Sequence, residues 1–84
     1  MKGLEGFNPS IGVLSRTMRV LIRTGGIGKT ALAQKANVNY ARFLQHLQWL
    51  ENKHLVELTV REGRVQVKLT EKGRDFATTL SDKD

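Results

Sequence analysis

The stretch LVELTVREGRVQVKL, residues 55–69, constrains this chain more than any other part of it. Apolar and polar residues alternate on both sides of Glu62-Gly63, the period of two that belongs to strands with one wet face. A two-residue loop at Glu62-Gly63 sets Arg61 opposite Arg64, and every other pair follows from that register. Val60 then faces Val65, Leu58 faces Val67 and Val56 faces Leu69, so six apolar residues gather on one side. Thr59 meets Gln66 and Glu57 meets Lys68 on the other. The pattern predicts a hairpin that buries one face and therefore needs something to lie on it.

Helices supply the cover. Asn8-Pro9 reads as a helix start, asparagine at the N-cap and proline in the first turn. Ile11, Leu14, Met18, Leu21 and Ile22 then recur at helical spacing, Arg16, Arg19 and Arg23 fall on the opposite side, and Gly25-Gly26 end the helix. A short second helix is expected over 29–36, with Gly28 at its N-cap. A turn at Asn37-Val38-Asn39 leads to a third helix over 40–53. Tyr40, Phe43, Leu44, Leu47 and Leu50 make the inward face of that third helix, and Arg42, Gln45, Trp49 and Asn52 point away. After the hairpin, Thr70 caps a last helix over 71–80, with Phe76, Ala77 and Leu80 as its apolar stripe. Residues 1–8 read as a flexible arm, 9–80 as the folded domain and 81–84 as a tail. The order α1-α2-α3-hairpin-α4 around one core is an α+β, mainly helical, winged helix-turn-helix.

Within this plan GGIGKT, residues 25–30, resembles the end of a phosphate-wrapping P-loop. That motif needs a further glycine five positions before Gly28, where this chain has Arg23. It also needs repeated βαβ units of roughly 30 residues each, which 84 residues cannot hold. Read between two helices, GGIGKT is a turn with no sheet beneath it, and no nucleotide is expected. With no cysteine, and His46 and His54 lacking a third ligand, neither a metal nor a cofactor site is expected. No Ser-His-Asp set or carboxylate pair suggests an enzyme. No apolar run approaches the ~20 residues of a membrane span, so a cytoplasmic protein is the expectation.

Charge points to the partner. The formal net charge is +6, and between Glu5 and Glu51 there is no acidic residue. Arg16, Arg19, Arg23, Lys29, Lys35 and Arg42 all lie in that interval. A segregated positive potential of this kind attracts a polyanion. For a duplex, helix 3 stands where a recognition helix enters the major groove. Arg42 can donate to guanine, Gln45 can pair with adenine, and His46, at the edge of that face, can reach base or phosphate. Asn39 can do likewise, its capping duty coming first. Lys29 and Thr30 at the start of helix 2, with Lys35, can hold a phosphate; Arg61 and Arg64 face each other at the hairpin tip, where phosphate would neutralise both. The sole tryptophan, Trp49, is expected on the outside, and with Leu14, Phe76 and Leu80 it forms a candidate homodimer surface. An adaptor that presents its basic half to an acidic protein is the rival reading; single-stranded nucleic acid fits less well for want of exposed aromatics.

The stretches TALAQKANVNYARFLQHLQWLENKHLVEL and VQVKLTEKGRDF resemble the small archaeal winged-helix proteins. The matching features are the KAN-x-N-Y turn from Lys35 to Tyr40, the spaced leucines of helix 3 and the LTEKG start from Leu69 to Gly73, over about residues 15–80. The resemblance implies double-stranded DNA binding, mostly as a homodimer joined by a C-terminal coiled coil. Roles in that family run from transcriptional regulation to a nucleoid-associated, chromosome-organising one. Here the last helix is expected to end near Leu80, shorter than a coiled coil of useful length needs.

Overall fold

A computed structural model of the chain describes residues 6–82. Residues 1–5 of the arm and 83–84 of the tail lie outside the described residues. The elements are α1 (Ile11–Thr24), β1 (Ile27–Gly28), α2 (Lys29–Lys35), α3 (Tyr40–Asn52), β2 (Val56–Arg61), β3 (Arg64–Leu69) and α4 (Glu71–Asp82). The backbone of residues 81 and 82, expected in the tail, thus continues α4.

The hairpin register is the one its turn dictates, with all six pairs from Val56–Leu69 to Arg61–Arg64 in place. Glu62 at φ 53° and Gly63 at φ 77° are both left-handed, as a type I′ loop requires. Its burial is uneven. Val56, Val67 and Leu69 are buried and Leu58 is half-buried, but Val60 is 73% and Val65 44% exposed. The expectation of six buried residues fails at the tip because the ribbon outruns the helices beneath it. A third strand also joins the sheet: Ile27 pairs with Val67 and Gly28 with Gln66, giving the order β1-β3-β2. The middle of GGIGKT therefore does lie on a sheet, as a two-residue edge, with Ile27 buried in the core.

Helix ends follow from local hydrogen bonding. The N-cap of α1 is Ser10, whose Oγ accepts from the Val13 N–H at 3.3 Å, so the helix starts two residues after the expected Asn8 cap. Gly25 closes it at φ 73°. The inward side of α1 is Val13, Leu14, Thr17, Met18 and Leu21, whereas Ile11 and Ile22 are 63% and 45% exposed. Helix α2 ends in a Schellman turn: the Asn37 N–H donates to Gln34 O and the Val38 N–H to Ala33 O, with Asn37 at φ 58°. Arg16 Nε donates to the Ala36 carbonyl at 2.8 Å and binds that turn to α1. Asn39 then caps α3 by accepting from the Arg42 N–H at 3.2 Å. The KAN-x-N-Y stretch is thus a helix stop followed two residues later by a helix start, which fixes the angle between α2 and α3.

At the other end α3 stops in a second Schellman turn, His54 N–H to Glu51 O and Leu55 N–H to Leu50 O, with His54 at φ 61°. Phe43, Leu32, Leu50 and Val67 are wholly buried where α2, α3 and β3 meet. Each such side chain contributes about 1.5–3 kcal/mol by leaving water.

One core position is poorly satisfied. Thr17 is fully buried and its Oγ1 has no hydrogen-bond partner among the described residues. An unpaired buried hydroxyl costs about 1–3 kcal/mol, and valine has nearly the same shape. Thr17→Val is therefore expected to raise stability by about 1 kcal/mol in urea denaturation. A loss of stability would mean that the hydroxyl is bonded after all.

Candidate nucleic-acid interface

The outward side of α3 is set by what its inward side must bury. Phe43, His46, Leu47 and Leu50 are the buried residues, at the i, i+3, i+4, i+7 spacing of one helical stripe. Opposite them Ala41, Leu44, Gln45, Gln48 and Asn52 are exposed. The expected phase of this helix was off by part of a turn. Tyr40, assigned to the core, is 45% exposed, its ring stacked on Phe43 at 6.1 Å, and Leu44, also assigned there, is 37% exposed.

His46 moves the other way. It is 2% exposed and has no face to offer a duplex. Its Nε2 accepts from the Ser10 N–H at 3.0 Å, and Nδ1 lies 2.8 Å from the Arg42 carbonyl. With Nε2 accepting, the ring proton sits on Nδ1 and is donated to that carbonyl. Phe7 meets the ring edge-on at 5.0 Å. A histidine can be buried here because both nitrogens find backbone partners, one from the start of α1 and one from α3 itself. It joins the two helices.

Trp49, expected outside, is half-buried between α3 and α4. Its ring lies 6.3 Å from Phe76, and Lys53 Nζ stands 5.7 Å from its centre. Leu14 at 1% and Leu80 at 7% exposed are core residues and give a second copy no surface to touch. The candidate dimer set is thus mostly spent inside one chain.

The remaining candidate residues stay on the outside. Arg42, Gln45, Arg61 and Arg64 are exposed, as are Thr30, Lys35 and Asn39, while Lys29 is half-buried at the start of α2. Asn39 Oδ1 is engaged in its cap, which leaves its amide N–H groups as the donors available outward. The wing tip carries its two arginines on either side of an exposed Glu62-Gly63 turn. Between the wing and the end of α1, Thr24, Gly25, Gly26, Thr59, Gln66 and Lys68 line an open cleft of about 360 Å³. Sequence reading missed Leu44 and Gln48 as outward residues; the signal was their spacing of three and seven from Ala41, drowned at Leu44 by the apolar character of leucine.

A family described as winged helix-turn-helix matches residues 16–83. Comparison with curated proteins returns no match. Among solved structures, Sso10a-2, a DNA-binding protein from Sulfolobus solfataricus, superposes with a TM-score of 0.78 at 18% identity, over 90% of this chain and 78% of that one. SSV1 F-93 gives a TM-score of 0.77 at 25% identity, over 90% and 89%. The MarR family transcriptional regulator SPO1453 from Silicibacter pomeroyi gives 0.74 at 22% identity, over 95% and 57%. This chain therefore spans little more than half the length of that regulator. With the helix order, the three-stranded sheet and the wing all in agreement with the match over 16–83, the chain belongs to the winged helix-turn-helix family.

Proposed function

We propose that the chain binds double-stranded DNA, as a transcriptional regulator or a small chromosome-associated protein. The observation that carries this reading is the absence of any acid between Glu5 and Glu51, a stretch that includes the exposed face of α3 from its cap as far as Gln48. In this reading α3 lies in the major groove. Arg61 and Arg64 meet flanking phosphates from the wing, and Lys29, Thr30 and Lys35 meet phosphate beside α2. Arg42 and the Asn39 amide sit at the edge of the groove. Sso10a-2 is a DNA-binding protein of the same fold, which supports the assignment without fixing any contact.

The test is fluorescence anisotropy of a labelled random duplex titrated at several salt concentrations. Neutralising about six phosphates gives a slope of log affinity against log salt near −5, because each contact releases condensed counterions. Absence of binding at low salt, or a flat response, would remove the reading and leave an acidic protein partner as the use of the basic half.

A further inference from the structure

The exposed arc of α3 has an uneven chemistry. Ala41, Leu44, Gln45 and Gln48 fall within about 100° of one another at 3.6 residues per turn, and all four are exposed. None carries a charge. Arg42 lies beyond one edge of the arc, toward His46, and the first acid on the helix is Glu51, seven residues past Leu44. Through Gln48 the arc therefore offers two primary amides and two apolar groups with no acid among them to repel phosphate, and Asn52 adds a third amide one turn further on.

These groups match one kind of base pair. A glutamine amide can accept from adenine N6–H and donate to adenine N7 at once, and an apolar side chain can cover the C5-methyl of thymine. Guanine is best met by an arginine or lysine aimed at O6 and N7, and the cytosine N4 amine by a carboxylate. The arc has neither. An exposed leucine on this uncharged arc also needs an apolar partner to leave water, and the thymine methyl is the apolar group in the major groove.

We propose that this arc reads A·T pairs in the major groove, Gln45 and Gln48 through adenine, Leu44 and Ala41 through the thymine methyl. The inference rests on the duplex-binding reading above, and its test separates the two. Affinity is measured at one fixed salt for a duplex with an A·T core and for one with a G·C core. The A·T duplex is then remade with uracil for thymine, which deletes only the methyl, and with 7-deazaadenine, which deletes only N7. A preference for A·T of about tenfold or more is expected, within the range of a good bidentate base contact. Both modified duplexes should bind several-fold more weakly.

Gln45→Ala/Gln48→Ala should bring the A·T and G·C affinities together, and Leu44→Ala should abolish the sensitivity to uracil. All three sites are exposed helix positions where alanine is the best helix former, so the fold is retained. Equal affinity for both cores with steep salt dependence would overturn the base reading and leave duplex binding standing. An A·T preference indifferent to both modifications would place discrimination in the minor groove and overturn it too. No binding to either core would remove both readings together.

Discussion

Gly73→Ala is expected to lower stability by about 3 kcal/mol or more, at the upper end of overpacking costs. In a domain of 84 residues, at about 0.05–0.15 kcal/mol per residue, that is a large part of the total. The sign runs against helix propensity, since glycine in a helix interior normally gives about 1 kcal/mol back when replaced by alanine. The reason is a backbone approach. A Cβ at position 73 would overlap the Leu55 carbonyl oxygen and stand 2.9 Å from its carbon and 3.2 Å from Leu69 Cδ2. The obstacle is backbone, so no rotamer change relieves it.

That backbone is also pinned. The Thr70 N–H donates to Leu55 O at 3.1 Å, and Thr70 Oγ1 donates to His54 O at 2.7 Å while accepting from the Gly73 N–H at 2.9 Å. Thr70 thus caps α4 and ties it to the α3–β2 turn, and Gly73 lets the first turn of α4 sit directly on that turn. Thermal and urea unfolding of Gly73→Ala check the effect, with Lys72→Ala, an exposed neighbour, expected to stay within about 0.5 kcal/mol of the parent. If Gly73→Ala were as stable as the parent, α4 would not be seated against Leu55 as described.

The LTEKG stretch illustrates how much could be read from residues alone. Its threonine cap was legible, because a hydroxyl before a helical pattern has one obvious use. The role of Gly73 was not, since close approach to Leu55 depends on how α4 docks. The hairpin was legible to the last pair because a two-residue loop leaves no freedom of register. Its neighbour β1 was not, since two residues, Ile27 and Gly28, carry no periodicity and only the edge of β3 defines them as a strand.

In α3 the error came from sorting by residue type. Sorting by type sends leucine and tyrosine inward and puts histidine at the edge of the outward face, giving a stripe of Tyr40, Phe43, Leu44, Leu47 and Leu50. The buried stripe is Phe43, His46, Leu47 and Leu50. His46 could take the inward place only because the Ser10 N–H, 36 residues away in sequence, supplies a donor to Nε2. No local pattern announces such a partner. The same rotation carries Leu44 and Gln48 onto the outward arc, so the candidate site was half-legible for the reason that the core was.

Arg61→Ala/Arg64→Ala is expected to separate stability from binding, moving the two in opposite directions. The arginines face each other as a direct cross-strand pair and both are exposed. Like charges opposed in this way are mildly destabilising, so their removal should leave stability unchanged or raise it by a few tenths of a kcal/mol. If each arginine neutralises one phosphate, the double variant should flatten the salt slope by about 2 and weaken duplex binding roughly 10- to 60-fold near 0.1 M salt. The loss should be the same on A·T and G·C cores, because phosphates carry no sequence. Wing variants then alter the slope and spare the discrimination, while the glutamines of α3 do the reverse. A double variant with an unchanged slope would take the wing off the DNA and confine binding to α3 and the lysines around α2. Charge repulsion retained at an exposed tip, where a serine or threonine pair would be more stable, is what a surface shaped by a polyanion would keep.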